Sequence, residues 1–473
     1  MNKNKVFICN ECNNIFAVGK DKNKRVNKNK IFISNFTERG VTKGIFMEKL
    51  MQYIWQHQLI DTLHLVTTDG RRVQVIDAGR LNSNAGPDFF NAKVRIDGEL
   101  WVGNVEIHYR ASDWRRHNHH KDMAYDSVIL HVVEVDDMMI TRSNGEVIPQ
   151  LVMRAAPTLR GDYNKLVDNA PQLSCGERIP SLNPFLITDW LNSLALERLQ
   201  SKSERIESWL SLYRGNWEEV CYVTLSRNMG FGINSDAFER LARSLPLSFL
   251  LKHADSLLQI EAFLLGQAGL LAEKRSDDDY YTRLAAEYAF LQNKFGLTPL
   301  NTEAWKFFRL RPQNFPHRRL AMLAQYIHGG FSLMARLCDA TTIDEMRALF
   351  QVQLTGYWDT HYTFDATSPA STSVLGKPAI DIILINTVAP LLYAYGTYTG
   401  DDRYIDRAQW VWESLRPEQN SITRHFAAVG IEAESALDSQ AIIQLHNEYC
   451  QKKKCLYCRI GHKLLAQSAI REE

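Results

Sequence analysis

The sequence has few of the features that mark membrane or secreted proteins. Its N-terminus has no apolar segment behind its charges, so we predict no secretory signal. The most apolar late stretch, residues 379–396, contains Asp381, Asn386 and Pro390, which makes it a poor membrane span. Eight cysteines among 473 residues are typical of reduced thiols or metal ligands rather than of a disulfide scaffold. These features predict a soluble, cytoplasmic protein without a membrane partner.

A large net charge is also lacking, because the chain carries only +1 at neutral pH. Residues 1–46 hold ten of the Lys and Arg residues and three of the acids, which leaves 45 basic and 51 acidic residues elsewhere. An acidic body argues against a nucleic-acid coat along the whole chain. A local basic cleft for nucleic acid is still compatible with this charge balance.

The chain is too long for one hydrophobic core, so we predict several domains. Residues 1–45 are rich in Lys and Asn without an amphipathic period, which predicts a disordered basic extension. Residues 46–180 mix helical and strand patterns and are predicted to form an α/β domain. Residues 185–473 show heptad-like apolar spacing with few β-branched runs, which predicts an all-α domain.

Within the α/β domain, the pattern predicts a helix, three or four strands, a second helix and a last strand. Leu50, Met51, Ile54 and Trp55 recur at helical spacing. A hairpin is predicted across Asp69-Gly70. A helix is predicted at 47–59, and a polar helix or helical turn at 112–125, with Ser112 as a plausible cap. The predicted strands are 63–67, 72–76, 89–96, 100–109 and 128–135.

Acidic residues on neighbouring strands make the most specific chemical suggestion. Asp88 follows Pro87 at the start of one predicted strand, and Glu106 lies in the next. His108 is two residues after Glu106, so both side chains point to one face of that strand. Such a set suits a hard divalent metal with a bound water. Alternatively, Asp88 caps a turn, and Glu106 and His108 form the solvated face of an edge strand.

Three runs carry a resemblance to a known family: NSNAGPDFF at 82–90, WVGNVEIHYRASDW at 101–114 and YDSVILHV at 125–132. They resemble an uncharacterised bacterial family, mostly from Bacteroidetes, that is catalogued only as a domain of unknown function. The resemblance extends from Met47 to the terminal run 449–458. It implies a relationship but no activity.

The α/β domain is also similar to the core of PD-(D/E)XK nucleases, the restriction-endonuclease-like superfamily with an αβββαβ core. The resemblance implies catalytic roles for Glu48 on the helix, for Asp88, for Glu106 and for His108. It implies Asp88 and Glu106 as ligands of Mg²⁺ or Mn²⁺. His108 stands where the superfamily usually has a lysine, so its share in activating water depends on its charge.

The leading hypothesis is therefore a metal-dependent nuclease that cleaves phosphodiesters of DNA or RNA. A cation at the carboxylates would supply a nucleophile from water, and His108 would orient or deprotonate that water. Residues that could contact the nucleic acid follow the site or lie in a basic loop: Asn104, Arg110, Arg115, Arg116, Arg311 and Arg318. For the loop arginines, caps and buried ion pairs in a helix connection are the alternative.

Two other functions are open at this point. The chain could be a catalytically inactive protein that keeps the nuclease fold for nucleic-acid binding or assembly. It could also be a zinc or non-haem iron hydrolase that uses a histidine cluster. The candidate ligands are His108, His117, His119, His120 and His131. The polar, Arg-rich surroundings of residues 117–120 equally indicate simple exposure.

The C-terminal cysteines form a second candidate site. Cys450, Cys455 and Cys458 are spaced so that their thiolates could wrap a tetrahedral metal or part of an iron–sulfur cluster. A fourth ligand is required, and Cys175 is the first choice, with His462 as the second. The predicted cofactor is zinc or a [4Fe–4S] cluster. Three reduced cysteines without metal are the alternative.

Overall fold

The structure is a computed structural model that describes residues 38–60, 64–82, 85–167, 173–272, 278–308, 310–364, 366–367 and 374–470. The chain divides into two compact units, the first ending at Ala155 and the second beginning at Ala156. This boundary lies earlier than the predicted one at residues 180–185. The predicted disorder of residues 1–37 lies outside the described residues.

The first unit is built around a six-stranded mixed sheet. Its strands are β1 (Val73–Asp77), β2 (Arg80–Leu81), β3 (Phe89–Ile96), β4 (Glu99–Arg110), β5 (Val128–Val135) and β6 (Gln150–Val152), and its helices are α1 (Glu38–His57) and α2 (Asp113–Arg116). The strand order is β1-β3-β4-β5-β6, with β2 paired to β3. Neighbours β3 and β4 run antiparallel, whereas β4 is parallel to β5.

Strand register explains why the candidate residues meet. Phe89 pairs with Val105, so the residue before β3, Asp88, lies beside Glu106 of β4. On the other side of β4, Glu106 pairs with His131 of β5. Every residue of β5 except the last is buried, which agrees with its β-branched composition and its position inside the sheet. Helix α1 packs against β4 and completes this part of the core.

Some local predictions for the first unit need correction. Helix α1 begins at Glu38, inside the segment predicted to be disordered. The polar helix or helical turn predicted at 112–125 is the four-residue α2, followed by two short 3₁₀ turns. Its early end has a local cause, because Asn118 adopts a left-handed backbone conformation with a φ of 64°. Ser112 makes no capping bond, since its hydroxyl donates to Asp137 Oδ2 at 2.8 Å. Strand β6 was not predicted.

The second unit is mainly helical, as predicted, with one short hairpin. Its helices are α3 (Pro157–Val167), α4 (Pro184–Leu212), α5 (Trp217–Met229), α6 (Ser235–Ser244), α7 (Leu247–Leu251), α8 (Leu257–Gln267), α9 (Asp279–Phe295), α10 (Pro316–Ile327), α11 (Leu333–Asp339), α12 (Ile343–Ala348), α13 (Tyr357–Thr360), α14 (Lys377–Ile383), α15 (Ala389–Thr399), α16 (Asp402–Ser414), α17 (Ser421–Ala427), α18 (Ala436–Gln444) and α19 (Arg459–Ile470). The hairpin pairs β7 (His361–Thr363) with β8 (Ala366–Thr367).

Helices α14 and α15 are joined by a π-turn, Leu384–Val388, into one helix, Lys377–Thr399. Among the described residues, it is the helix that is long and apolar enough to cross a membrane. Of the most apolar 18-residue stretch of this helix, 67% is buried inside the protein, as is expected of a core helix. The π-turn frees backbone carbonyls, and Trp412 Nε1 donates to that of Ile385 at 3.0 Å.

Candidate metal centre

The acidic residues predicted to act together lie at one place in the first unit. The backbone N–H of Asp88 donates to Glu106 Oε2 at 3.0 Å, and the backbone N–H of Ile107 donates to Asp88 Oδ2 at 3.0 Å. These two bonds lock the acids to each other across β3 and β4. From α1, Gln52 Nε2 donates to Asp88 Oδ1 at 2.9 Å. Glu48 lies one helical turn before Gln52, so it faces the same place.

Burial and mutual repulsion make these carboxyl groups costly to ionise together. Burial, followed by the neighbouring Asp88, raises the pKa of Glu48 to about 7. Burial, followed by Glu106, raises the pKa of Asp88 to about 7. Burial raises the pKa of Glu106 to about 8, although the N–H of Asp88 opposes this shift. A divalent cation among the three acids would offset the repulsion, so the donor set fits such an ion.

A chain of hydrogen bonds fixes the proton positions on the buried histidines. Gln150 Nε2 donates to Asp136 Oδ1 at 2.6 Å and to the Met138 carbonyl at 3.2 Å, so its Oε1 faces His131. That oxygen lies 3.1 Å from His131 Nδ1, which must therefore carry the proton. His131 Nε2 therefore carries no proton, and it accepts a hydrogen bond from His108 Nδ1–H at 2.8 Å. The lone pair of His108 Nε2 is consequently directed into the site.

Glu106 and two further histidines lie around His108 Nε2. His108 Nε2 is 3.5 Å from Glu106 Oε1 and 3.1 Å from His117 Nδ1, and His119 Nε2 is 3.3 Å from the same Glu106 oxygen. A proton on Glu106 or a bound cation must lie between the two acceptors, His108 Nε2 and Glu106 Oε1. Ligand nitrogens of His108, His117 and His119 all lie within 4.8 Å of one another. Three imidazoles with a carboxylate fit zinc or non-haem iron.

Aromatic side chains hold the histidine rings in place. Trp114, which is fully buried, meets His108, His119 and His131 edge-on, with ring centroids 5.4 to 6.5 Å apart. Tyr125 stacks on His119 with a centroid distance of 3.8 Å. Burial lowers the pKa of His108 well below its usual range and that of His131 to about 4. Both imidazoles are therefore neutral at physiological pH, the form that can act as a ligand or a base.

Sequence reasoning missed how His117 and His119 join the acids. The left-handed turn at Asn118 lies between them, with His117 against His108 on one side and His119 against Glu106 on the other. The signal was the His-x-His spacing close behind β4, which was interpreted equally as an exposed segment. The supporting glutamine of α1, Gln52, could have been found from its spacing of four residues after Glu48. Another candidate, His120, lies outside the group of three.

The residues predicted to contact nucleic acid beside this site are differently placed. Asn104 is engaged within the sheet, because its Nδ2 donates to Ser127 Oγ at 2.7 Å and its Oδ1 accepts from the N–H of Asn91 at 3.2 Å. Arg110 and Arg116 have exposed side chains, 52% and 67% respectively. Arg115 is also exposed. These three arginines are accessible to a phosphate.

The basic loop of the second unit is only partly accessible. Arg311 is exposed. Arg318 is fully buried, and its Nη1 donates to the Trp358 carbonyl at 3.1 Å. A guanidinium without exposed surface cannot contact a phosphate, so the prediction for Arg318 is wrong. The buried arginine of a helix connection, the alternative interpretation, describes this residue.

The predicted cysteine ligands all line one cavity of the second unit, with a volume of about 230 Å³. They are Cys175, Cys450, Cys455 and Cys458. His462, the second choice for a fourth ligand, does not line it. Cys221, which lies outside this set, is fully buried in the core.

A comparison with protein families gives one match. The model of a family described as "Protein of unknown function (DUF2851)" matches residues 48–421. The matched range begins at the helix acid of the candidate site and ends before Cys450. No curated protein and no solved structure matches the chain. The predicted relationship to a family of unknown function is thereby confirmed.

Proposed function

The chain belongs to this family of unknown function, DUF2851, and from the geometry of its site we propose that it is a metal-dependent phosphodiester hydrolase, a nuclease acting on DNA or RNA. One observation carries the proposal. Glu106, only 5% exposed, faces Asp88 with one carboxylate oxygen and His108 and His119 with the other. A buried carboxylate between an acid and neutral imidazoles suits a cation beside an activated water.

The residues divide into binding and proton-transfer roles. Asp88 and Glu106 would hold Mg²⁺ or Mn²⁺, which prefer oxygen ligands. When bound, such an ion supplies an activated water and offsets charge on the phosphate oxygens. His108 offers a neutral Nε2 lone pair, so it can accept the proton of an attacking water. Glu48 adds a third acid from α1 and orients water or the ion from the helix side.

The sheet supports the finer resemblance to PD-(D/E)XK nucleases. Helix α1 precedes three antiparallel strands, β1, β3 and β4, and β5 is then added parallel to β4 after the short α2. This order resembles that of the αβββαβ core. Arg110 ends β4, and Arg115 and Arg116 end the short α2 that follows, where exposed guanidinium groups can hold the phosphates of a nucleic acid.

Nuclease assays on the purified full chain with Mg²⁺ or Mn²⁺ test the proposal. Single- and double-stranded DNA and RNA serve as substrates. Replacing Glu106→Gln should reduce cleavage by about 100-fold or more, because the carboxylate is lost from the centre of the site. Glu146→Gln, an exposed acid paired with Arg142 in the same unit, is the matched control and should retain activity. Wild-type protein that cleaves none of these substrates overturns the proposal.

A second candidate function rests on the three converging imidazoles. A zinc or iron hydrolase would use His108, His117 and His119 as ligands. His117→Ala separates the two candidates, because His117 is a metal ligand in the zinc or iron hydrolase but has no assigned role in the proposed nuclease. With Mg²⁺, the proposed nuclease keeps most of its activity in this variant. The alternative hydrolase loses both its tightly bound metal and its activity, which metal analysis of the purified protein would show.

A non-catalytic role makes a different prediction. A protein that only binds nucleic acid should bind equally well after Glu106→Ala, and its affinity should fall steeply with salt concentration. Filter-binding or fluorescence titrations at several salt concentrations, run beside the cleavage assays, distinguish binding without cleavage from the proposed catalysis.

A further inference from the structure

The cysteine cavity is lined by residues of the second unit alone, and its cysteines stand at helical turns and at the start of a helix. Cys175 precedes a 3₁₀ turn, Gly176–Ser181. Cys450 ends a π-turn, Leu445–Cys450, which is the kind of helix irregularity that is frequent at functional sites. Cys455 begins a 3₁₀ turn, and Cys458 is the residue immediately before α19.

The four thiols line one cavity of about 230 Å³, so a single bound group could reach all of them. Cys458 is buried and the other three are partly buried, so such a group would be largely enclosed by the chain.

The spacing of the sulfurs favours a cluster over a single ion. Sulfurs bound to one tetrahedral zinc at about 2.3 Å must lie within about 4 Å of one another. Within the described part of the chain, no three of these cysteine sulfurs lie within 4.8 Å of one another, the separation that the three histidines of the first unit do meet. A [4Fe–4S] cluster binds each thiolate at a different corner, so its ligands stand further apart.

The backbone around Cys458 and Cys455 is adapted to a sulfur site. Cys458 is followed directly by the first turn of α19, where backbone N–H groups have no partner within the helix. N–H groups in such a place can stabilise the negative charge of a cluster thiolate. Gly461 also permits a close approach, because a Cβ at this position would lie 2.1 Å from the Cys455 carbonyl oxygen.

A positive charge accompanies the thiols. Lys453 lines the cavity together with the four cysteines. Its φ of 52° places it in the left-handed region, which a non-glycine residue adopts at some cost. A cluster with four thiolates is negatively charged, so a lysine here offsets its charge.

From these contacts we propose that Cys175, Cys450, Cys455 and Cys458 bind a [4Fe–4S] cluster. Each thiol releases its proton to water as its sulfur binds an iron, so assembly on the chain releases four protons. The cluster would link Cys175, which follows α3 in the sequence, to Cys458 at the start of α19. Helices α3 and α19 already pack on each other. Its role is to stabilise this end of the helical unit.

The test uses the full chain, purified without oxygen or reconstituted with iron and sulfide under reducing conditions. We expect about four iron and about four acid-labile sulfide per chain, with broad visible absorbance. Cys175→Ser should lose most of the iron. Cys338→Ser, a partly buried cysteine outside the cavity, is the control and should retain it.

Other outcomes would overturn the proposal. They are one zinc per chain without iron, no metal after reconstitution, and full iron content in Cys175→Ser. Because a serine variant could fail to fold, circular dichroism is measured on each variant. The metal and sulfide content of the wild-type chain decides the question independently of all variants.

Discussion

At the scale of single residues, the candidate metal centre depends on side chains that never touch a metal. The proton on His108 is assigned by a chain that begins at Asp136 and runs through Gln150 and His131. Supporting partners of this kind set the tautomer and orientation of ligand histidines. Sequence alone indicated His108 and Glu106, but it could not indicate a partner 19 residues beyond His131 on a separate strand.

Gln150→Leu tests this support. Leucine fills a similar volume but accepts no hydrogen bond, so His131 loses its Nδ1 partner and the tautomer of His108 is no longer fixed. Cleavage activity should fall by about 10- to 100-fold, because the Nε2 lone pair of His108 is no longer held ready to accept a proton. Cleavage assays with Mn²⁺ measure the activity, and Gln74→Leu, an exposed position on β1, is the control. Unchanged activity in Gln150→Leu would show that the relay does not orient His108.

A buried acid of the second unit gives a pH prediction. Glu261 is 4% exposed, and burial raises its pKa to about 7 from the usual 4.5, although the Tyr280 hydroxyl donates to it. Because the folded pKa is the higher one, its contribution to stability is fully present below about pH 4.5 and is lost as pH rises through 7. Glu261→Gln, which carries no charge, should therefore gain stability relative to wild type as pH rises.

The gain should reach at most about 3 kcal/mol at pH 8 relative to pH 4.5, at 1.36 kcal/mol per pKa unit. Urea unfolding at several pH values measures it. The exposed Glu303→Gln is the control and should follow the wild-type profile. Parallel pH profiles for Glu261→Gln and wild type would mean that Glu261 is ionised in the folded protein.

At the scale of elements, long patterns were predicted well and short ones poorly. The strands 89–96 and 128–135 agree with the structure to the residue, because their β-branched and alternating residues are buried in the sheet. Residues 112–125 were predicted only as a polar helix or helical turn, and the structure has the short α2 and two 3₁₀ turns there, since the segment has no continuous apolar stripe. Strand β6, of three residues, is set by its pairing with β5, which no local pattern records.

Two glycines in helices of the second unit, one crowded and one with free space around it, give opposite predictions for replacement by alanine. Gly461→Ala should lower the melting temperature by several degrees, because its Cβ would press on the Cys455 carbonyl and α19 would have to shift. Gly161→Ala, within α3, meets nothing within 4 Å and should raise stability by about 0.5–1 kcal/mol through the better helix propensity of alanine. Thermal unfolding followed by circular dichroism measures both. Equal effects of the two substitutions would contradict the close approach at Gly461.

At the scale of the whole molecule, the sequence predicted an α/β part followed by a helical part, and the structure agrees. The candidate residues were found because acids and a histidine stand just before β3 and close together within β4. What could not be predicted is convergence across long separations, such as Cys175 with Cys450. The two cysteines meet only because the helices between them in the sequence pack in one particular arrangement. That arrangement depends on the fit of side chains far apart in the sequence, which no local pattern records.

Because the two sites belong to different units, the final prediction is that each binds its metal or cluster independently of the other. Every proposed ligand of the acid and histidine site belongs to the first unit, and all four cysteines belong to the second. Mutations without shared contacts usually have additive effects. Cys175→Ser should therefore bind Mn²⁺ with wild-type affinity, and Glu106→Gln should keep its full iron content. Calorimetry and iron analysis on the same preparations measure both. A Mn²⁺ affinity that falls about tenfold in folded Cys175→Ser would instead show that the cysteine site supports the first unit.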